Sequence, residues 1–416
     1  MPFLIKIIIV LQHIDIKRGI IMHYKTLYNL FFYDTEKYNQ YYADRYNHED
    51  TIRLEINIGS NPAFVYPNSE MYAIMLSIER TNSKVNSLCD RLPDAALFQF
   101  AKHSLINEIV ITNNIEGVHS TRKEIGEILE NLQRNKTKRF YGLVKKYQAL
   151  TSEKEIKIKT CQDIRNIYND IFYDEVKSYD PDNLPDGVIF RKSGVDVLSP
   201  TAKVFHRGVL PEQKIIEVMN SALQMLNNEN IDYLIRISLF HYLFGYIHPF
   251  YDGNGRLSRF ISSYLLSQNL NSLISYNLSY IIKEKSTQYY EAFKKCNDER
   301  NKGDVTPFIL MFLSMIDLTM QRLLEVLTDE YNKFLYFIEV IKKSPKVTER
   351  TFGLYSLLIQ ASLFSDNGLS IKDISRELDC NELTVRRRLN EIDQDIIVKT
   401  KNGRQILYML DLEKIE

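Results

Sequence analysis

The chain has no tryptophan, four cysteines, and only 15 glycines and 11 prolines in 416 residues. The missing tryptophan carries no functional meaning beside 27 tyrosines and 21 phenylalanines. Cys89, Cys161, Cys296 and Cys380 lie far apart. With no CxxC or Cys/His ligand spacing, neither a structural zinc nor a disulfide framework is suggested. Reduced, buried thiols in a cytoplasm are the expectation. Few glycines and prolines, and no long Thr/Val-rich alternation, point to a mainly helical protein. Net charge is missing too, with 53 Lys and Arg against 53 Asp and Glu. That argues against a chain-wide polyphosphate binder and leaves room for a local basic patch. Long apolar runs are scarce. The run from Phe3 to Leu11, broken by Lys6, is about half of what a membrane span needs. His13, Asp15 and Lys17 follow where a signal peptide would carry small residues. No membrane partner is expected, and residues 1–21 read as an extension before Met22 or as a short strand.

Hydrophobic residues at 44% and charged residues at 25% are the globular norm. At this length two or three domains are expected. Residues 1–70 read as an N-terminal wrap, Tyr-rich and irregular, broken by Gly59, Pro62 and Pro67. Residues 71–150 read as helices, one of them from Asp94 to about Glu116 and stopped by Gly117 as a left-handed cap. Residues 151–342 form the core. Within it, Asp180 to Pro211 is dense in Pro, Gly and Asp. Three short β-branched runs there, Val188–Phe190, Val195–Leu198 and Lys203–Phe205, suggest a β-hairpin between helical blocks. Lys343-Ser344-Pro345-Lys346 then breaks the helical pattern, and residues 347–416 read as a separate module.

The chemistry concentrates in His248-Pro249-Phe250-Tyr251-Asp252-Gly253-Asn254-Gly255-Arg256-Leu257-Ser258-Arg259. An apolar helix ends at Ile247, because Pro249 biases His248 out of the helical region. A loop with Gly253 and Gly255 follows, then a new helix. Asn254 and Gly255 fall in its first turn, where free amides and the helix dipole favour an anion. Arg256 and Arg259 share one face of one turn and can clamp phosphate oxygens. Asp252 is a hard carboxylate suited to Mg²⁺ shared with phosphates. His248 can take a proton from a hydroxyl near neutral pH. Together these residues make a phosphoryl- or nucleotidyl-transfer site.

This segment resembles the signature of the Fic (filamentation-induced-by-cAMP) family, H-P-F-x-D/E-G-N-G-R-x-x-R, at every position. The resemblance implies a helical protein that transfers AMP from ATP to a Ser, Thr or Tyr hydroxyl of a target protein, itself included. It implies His248 as the base and Asp252 as the Mg²⁺ ligand. Gly253, Asn254, Gly255 and Arg256 would form the phosphate loop, with Arg259 on the γ-phosphate. Upstream, Arg191 to Val197 looks like the start of the family's β-hairpin flap. Val195, Asp196, Val197 and Leu198 would then pair with an extended target segment by strand addition. Downstream, Tyr289, Tyr290 and Asn297 resemble residues that flank the adenine in some members. Thr112-Asn113-Asn114-Ile115-Glu116-Gly117 looks like the family's S/T-x-x-x-E-G/N inhibitory motif. There Thr112, Glu116 and Gly117 would deny Arg259 to the γ-phosphate.

The last module reads as helix, helix-turn-helix and hairpin, and resembles a winged helix. Arg387 and Arg388 would face a DNA major groove, and Lys401 or Arg404 a backbone or minor groove. Residues 346–416 carry 11 Lys and Arg against 12 Asp and Glu, which is not the basic balance of a committed DNA binder. Such modules also dock proteins or form homodimers. Two alternatives to AMP transfer follow. One is a DNA-binding regulator whose core senses nucleotide or modifies itself. The other is removal of AMP, or transfer of another nucleotide.

Overall fold

The computed structural model describes residues 23–151, 155–198, 204–365, 368–402 and 405–415. The run over residues 1–21, residues 199–203, and Gly403 with Arg404 lie outside them. The fold is mainly helical with three small antiparallel sheets among the described residues.

The N-terminal segment is more ordered than its composition suggests. It holds α1 (Leu27–Tyr33), α2 (Thr35–Tyr46) and a hairpin of β1 (Ile52–Ile58) with β2 (Asn61–Val65). Leu54, Ile56 and Ile58 alternate with exposed residues and bury one face, and Gly59 turns the chain at φ +59°. The segment is tied to Gly303 and Asp304, just before the helix that starts at Thr306. The Tyr24 hydroxyl donates to Asp304 at 2.7 Å, Arg45 lies 3.5 Å from the same carboxylate, and the Phe64 amide donates to the Gly303 carbonyl at 3.0 Å.

The helices that follow are α3 (Ser69–Cys89), α4 (Asp94–Ile115), α5 (Arg122–Glu130), α6 (Tyr141–Gln148) and α7 (Cys161–Tyr168). Thr160 and Asp163 close a reciprocal capping box at α7, which runs through a π-turn into α8 (Asp174–Tyr179). The flap is β3 (Asp196–Leu198) paired with β4 (Val204–Arg207). Val188–Phe190 is not a strand. Its three amides all donate to the Glu212 carboxylate at 2.8–3.1 Å, so they cannot join a ladder.

Next come α9 (Glu212–Leu226), α10 (Tyr233–Ile247), α11 (Asn254–Ser267), α12 (Leu278–Glu284), α13 (Ser286–Asn297) and α14 (Thr306–Lys343). Among the described residues α14 is the one helix long and apolar enough to cross a membrane, with a mean hydropathy of 1.4 over its best window. It is also the centre of the core, packed on α3, α10, α12 and α13, with 67% of that window buried.

The C-terminal unit holds α15 (Glu349–Phe364), β5 (Leu369–Ser370), α16 (Ile371–Glu377), α17 (Glu382–Glu391), β6 (Ile397–Asn402) and β7 (Gln405–Leu410). The sheet order is β5-β7-β6. This unit does not stand apart. Its α15 packs against α14 and α4, and a shallow cleft there is lined by Phe98, Gln99, Leu357 and Gln360.

Candidate active site

The loop between α10 and α11 is built from its apolar anchor. Phe250 is fully buried, stacked on Tyr168 at 3.9 Å and edge-on to Phe190 at 5.5 Å. Asn254 braces it from below. The Asn254 side chain accepts from the Phe250 amide at 3.0 Å and donates to its carbonyl at 2.8 Å. Asn254 therefore shapes the loop, and its side chain is not presented to a ligand. Gly253 precedes α11 at φ +82° and offers no side chain to cap the helix, so the first-turn amides have no capping oxygen.

His248 ends α10 in the left-handed region, at φ 52° and ψ 62°. That conformation costs a non-glycine residue about 1–3 kcal/mol and persists only where its surroundings enforce it. Burial pushes the imidazole pKa down to about 4, against the opposing pull of Glu116 and with help from Arg191 and His206. The ring is neutral at pH 7 and able to accept a proton.

The two signature arginines face different acids. Arg256 is fully buried over the Phe172 ring. It lies 2.9 Å from Glu175 of α8 and 3.5 Å from Asp252. Arg259 is also buried. Its Nε donates to Thr112 Oγ1 at 2.7 Å and its Nη2 to the Thr112 carbonyl at 3.0 Å, and Nη2 lies 2.8 Å from Glu116. The Glu116 carboxylate also lies over Gly255, where an added Cβ would collide with it. It thus covers the N-terminus of α11, the place the sequence assigns to an anion. Gly117 ends the segment that carries Thr112 and Glu116 at φ +71°, and the Val118 amide closes back on the Asn113 carbonyl at 2.9 Å.

Asp252 accepts from the Gly253 amide at 2.6 Å and from the Tyr179 hydroxyl. Its side chain is 28% exposed. Among the described residues no three His, Cys, Asp or Glu side chains converge on a metal position. A single accessible carboxylate suits Mg²⁺, which takes one or two carboxylates and completes its shell with phosphate and water.

Tyr289 does not line a surface. It is buried, and its hydroxyl is hydrogen-bonded to His241, which in turn meets Ser262 and Ser258 behind Arg259. Tyr290, edge-on to it at 5.4 Å, is half-buried. Asn297 accepts from Tyr242 at 2.7 Å and keeps a buried Nδ2 without a partner.

The flap pairs Asp196 with Arg207, Val197 with His206 and Leu198 with Val204, and Arg207 lies 3.2 Å from Asp196. His206 pins it to α10 through the Tyr246 carbonyl at 2.6 Å. Val195 precedes β3, half-buried.

In α17 the exposed arginines are Arg386 and Arg387. Arg388 is half-buried with an unpartnered Nε, on the flank of the face that Val385, Leu389 and Ile392 bury. Arg386 lies 3.9 Å from Glu382 and Arg387 3.9 Å from Glu391. Lys401 is exposed on β6, and Arg404 lies outside the described residues.

Residues that sequence reading missed are Glu175, Tyr179 and Glu108. Glu108 sits one turn before Thr112 on α4, buried, and accepts from the Ser279 amide and hydroxyl at the start of α12. Burial pushes its pKa up to about 7.

Residues 159–266 match the Fic/DOC family model. The chain is 33% identical over 107 residues to the protein adenylyltransferase Fic of Drosophila erecta and of Drosophila grimshawi. Each match covers 25% of this chain and 20% of the relative's length, so the likeness is confined to about a fifth of those proteins. A crystal structure of a Fic family protein from Desulfovibrio desulfuricans shares the fold. It has a TM-score of 0.50 and 20% identity, and the match covers 83% of this chain and 96% of that one.

Proposed function

The chain carries a Fic/DOC domain, and from that premise we propose that it transfers AMP from ATP to a hydroxyl of a protein, with Glu116 holding the reaction off. The observation that carries this reading is the position of Glu116, on Arg259 and over Gly255 together. A carboxylate there stands in for a phosphate.

In the released state the first-turn amides of α11 and Arg259 would bind the terminal phosphates. The flap edge at β3 would hold the target segment. Neutral His248 would take the hydroxyl proton as oxygen attacks the α-phosphorus, and pyrophosphate leaves as the bond from the α-phosphorus to the oxygen bridging to the β-phosphorus breaks. Asp252 would hold Mg²⁺, whose charge offsets that on the phosphates. A pair such as Arg259–Glu116 is worth about 1.5–3 kcal/mol as a charge-assisted contact. That is enough to hold off a competing phosphate contact.

DNA binding by the C-terminal unit is the weaker part of the proposal. Each exposed arginine of α17 has an acid within 4 Å, which a DNA phosphate would have to displace.

The test is mass spectrometry of the Glu116→Gly chain after incubation with mixed nucleoside triphosphates and Mg²⁺. AMP on the protein is expected, with incorporation about 10- to 100-fold above the parent chain. Adding His248→Ala is expected to abolish it. A different nucleotide adduct would reassign the donor, and no adduct would sink the transfer reading.

A further inference from the structure

Arg191 is fully buried, and among the described residues its guanidinium forms no ion pair. It donates instead to four backbone carbonyls. Nε reaches His248 at 2.9 Å, Nη1 reaches Ser193 at 2.6 Å, and Nη2 reaches Val209 at 2.9 Å and Ile247 at 3.5 Å. Its own amide donates to the Pro249 carbonyl at 3.2 Å. These groups belong to three places: the end of α10, the loop after it, and both feet of the flap. The last carbonyls of a helix have no partner within it and carry its negative pole, which suits a guanidinium. Only a rigid fork of donors can serve four of them at once.

We propose that Arg191 is a positioning residue for His248, and that it locks the feet of the flap to the backbone that aims the imidazole. This rests on the transfer reading above. His248 is held in the left-handed region, and the guanidinium is fastened to the His248 carbonyl itself. Gly208 supports the same conclusion. Its φ is not positive, so conformation does not require glycine there. An added Cβ would collide with Arg191 Nη2 and lie 3.2 Å from His248 Cβ. Glycine at 208 makes room for the guanidinium beside the base. One buried cation thus sets both the proton acceptor and the height of the strand that presents the target.

The experiment uses the full-length Glu116→Gly chain. Arg191→Lys keeps the charge, but one ammonium cannot reach four carbonyls. Gly208→Ala keeps every donor and charge and only crowds the fork, so a folding defect in the lysine variant does not end the test. Both are expected to lower kcat for AMP transfer by about 10- to 100-fold, with KM for ATP held within about twofold. A kcat within twofold of the parent in the folded variants overturns the proposal, as does a loss carried by KM alone. The His248 imidazole NMR signals, identified by their loss in His248→Ala, need no turnover. They are expected to move in both variants, and unmoved signals overturn the positioning role. If Glu116→Gly transfers no AMP while the imidazole signals still move, the transfer reading fails and the positioning of His248 stands.

Discussion

The back and the front of α11 hold arginines one turn apart, and they are neutralised in different ways. At the back, Arg256 meets Glu175, and both side chains are fully buried. At the front, Arg259 is 2% exposed, but its partner Glu116 is 33% exposed and arrives on the end of another helix. The first pair is part of the wall. The second is open to solvent on its acidic side. Similar charges one turn apart therefore differ in the solvent access of their acids, and the proposed regulatory role falls on the accessible one.

The same substitution on each acid breaks the comparison most cleanly. Glu175→Gln leaves a buried guanidinium short of its counter-charge and is expected to cost about 3 kcal/mol in urea unfolding. Glu116→Gln is expected to cost about half as much, because the amide oxygen can still accept from Arg259 and water reaches the position. Equal costs would remove the distinction. A smaller effect is expected from Thr112→Val, which deletes only the hydroxyl that Arg259 Nε uses and leaves the carbonyl. Loss of that contact, about 1 kcal/mol, is expected to tighten ATP binding about fivefold by calorimetry. Unchanged affinity would mean Thr112 only packs. The smallest effect is expected from pH. His248 has a depressed pKa, so the base is already deprotonated well below neutrality and would be lost only as pH falls toward about 4. Removing Glu116 takes away a charge that raises this pKa, so it moves the limit lower still. AMP transfer by Glu116→Gly is expected to stay flat from about pH 6 to about pH 8, and an acid limb centred near the ordinary histidine value would contradict the depressed imidazole pKa.

The loop and first turn of α11 were legible in the sequence because their parts are contiguous from His248 to Arg259, the distant Glu116 was reached through the family resemblance, and caps act locally. Thr160 with Asp163, Ser370 with Asp373, and Gly117 mark helix ends within a few residues of themselves. The back was not legible. Glu175 lies 81 residues from Arg256, Tyr179 73 from Asp252, and Arg191 57 from His248, and only the tertiary fold brings them together. Local signals also lost to tertiary ones. The β-branched Val188–Phe190 run yields to the Glu212 carboxylate, while tyrosine-rich composition hid α1, α2 and the β1–β2 hairpin. In α17 an error of one position made Arg388 seem outward when Arg386 is.

The helix α4 is one uninterrupted run of 22 residues, about 33 Å long at the usual rise. Its Phe98 end lies under α15, and its far end delivers Glu116 to Arg259. Glu108 fastens it midway to the start of α12. One helix thus carries both the packing surface for α15 and the carboxylate that meets Arg259.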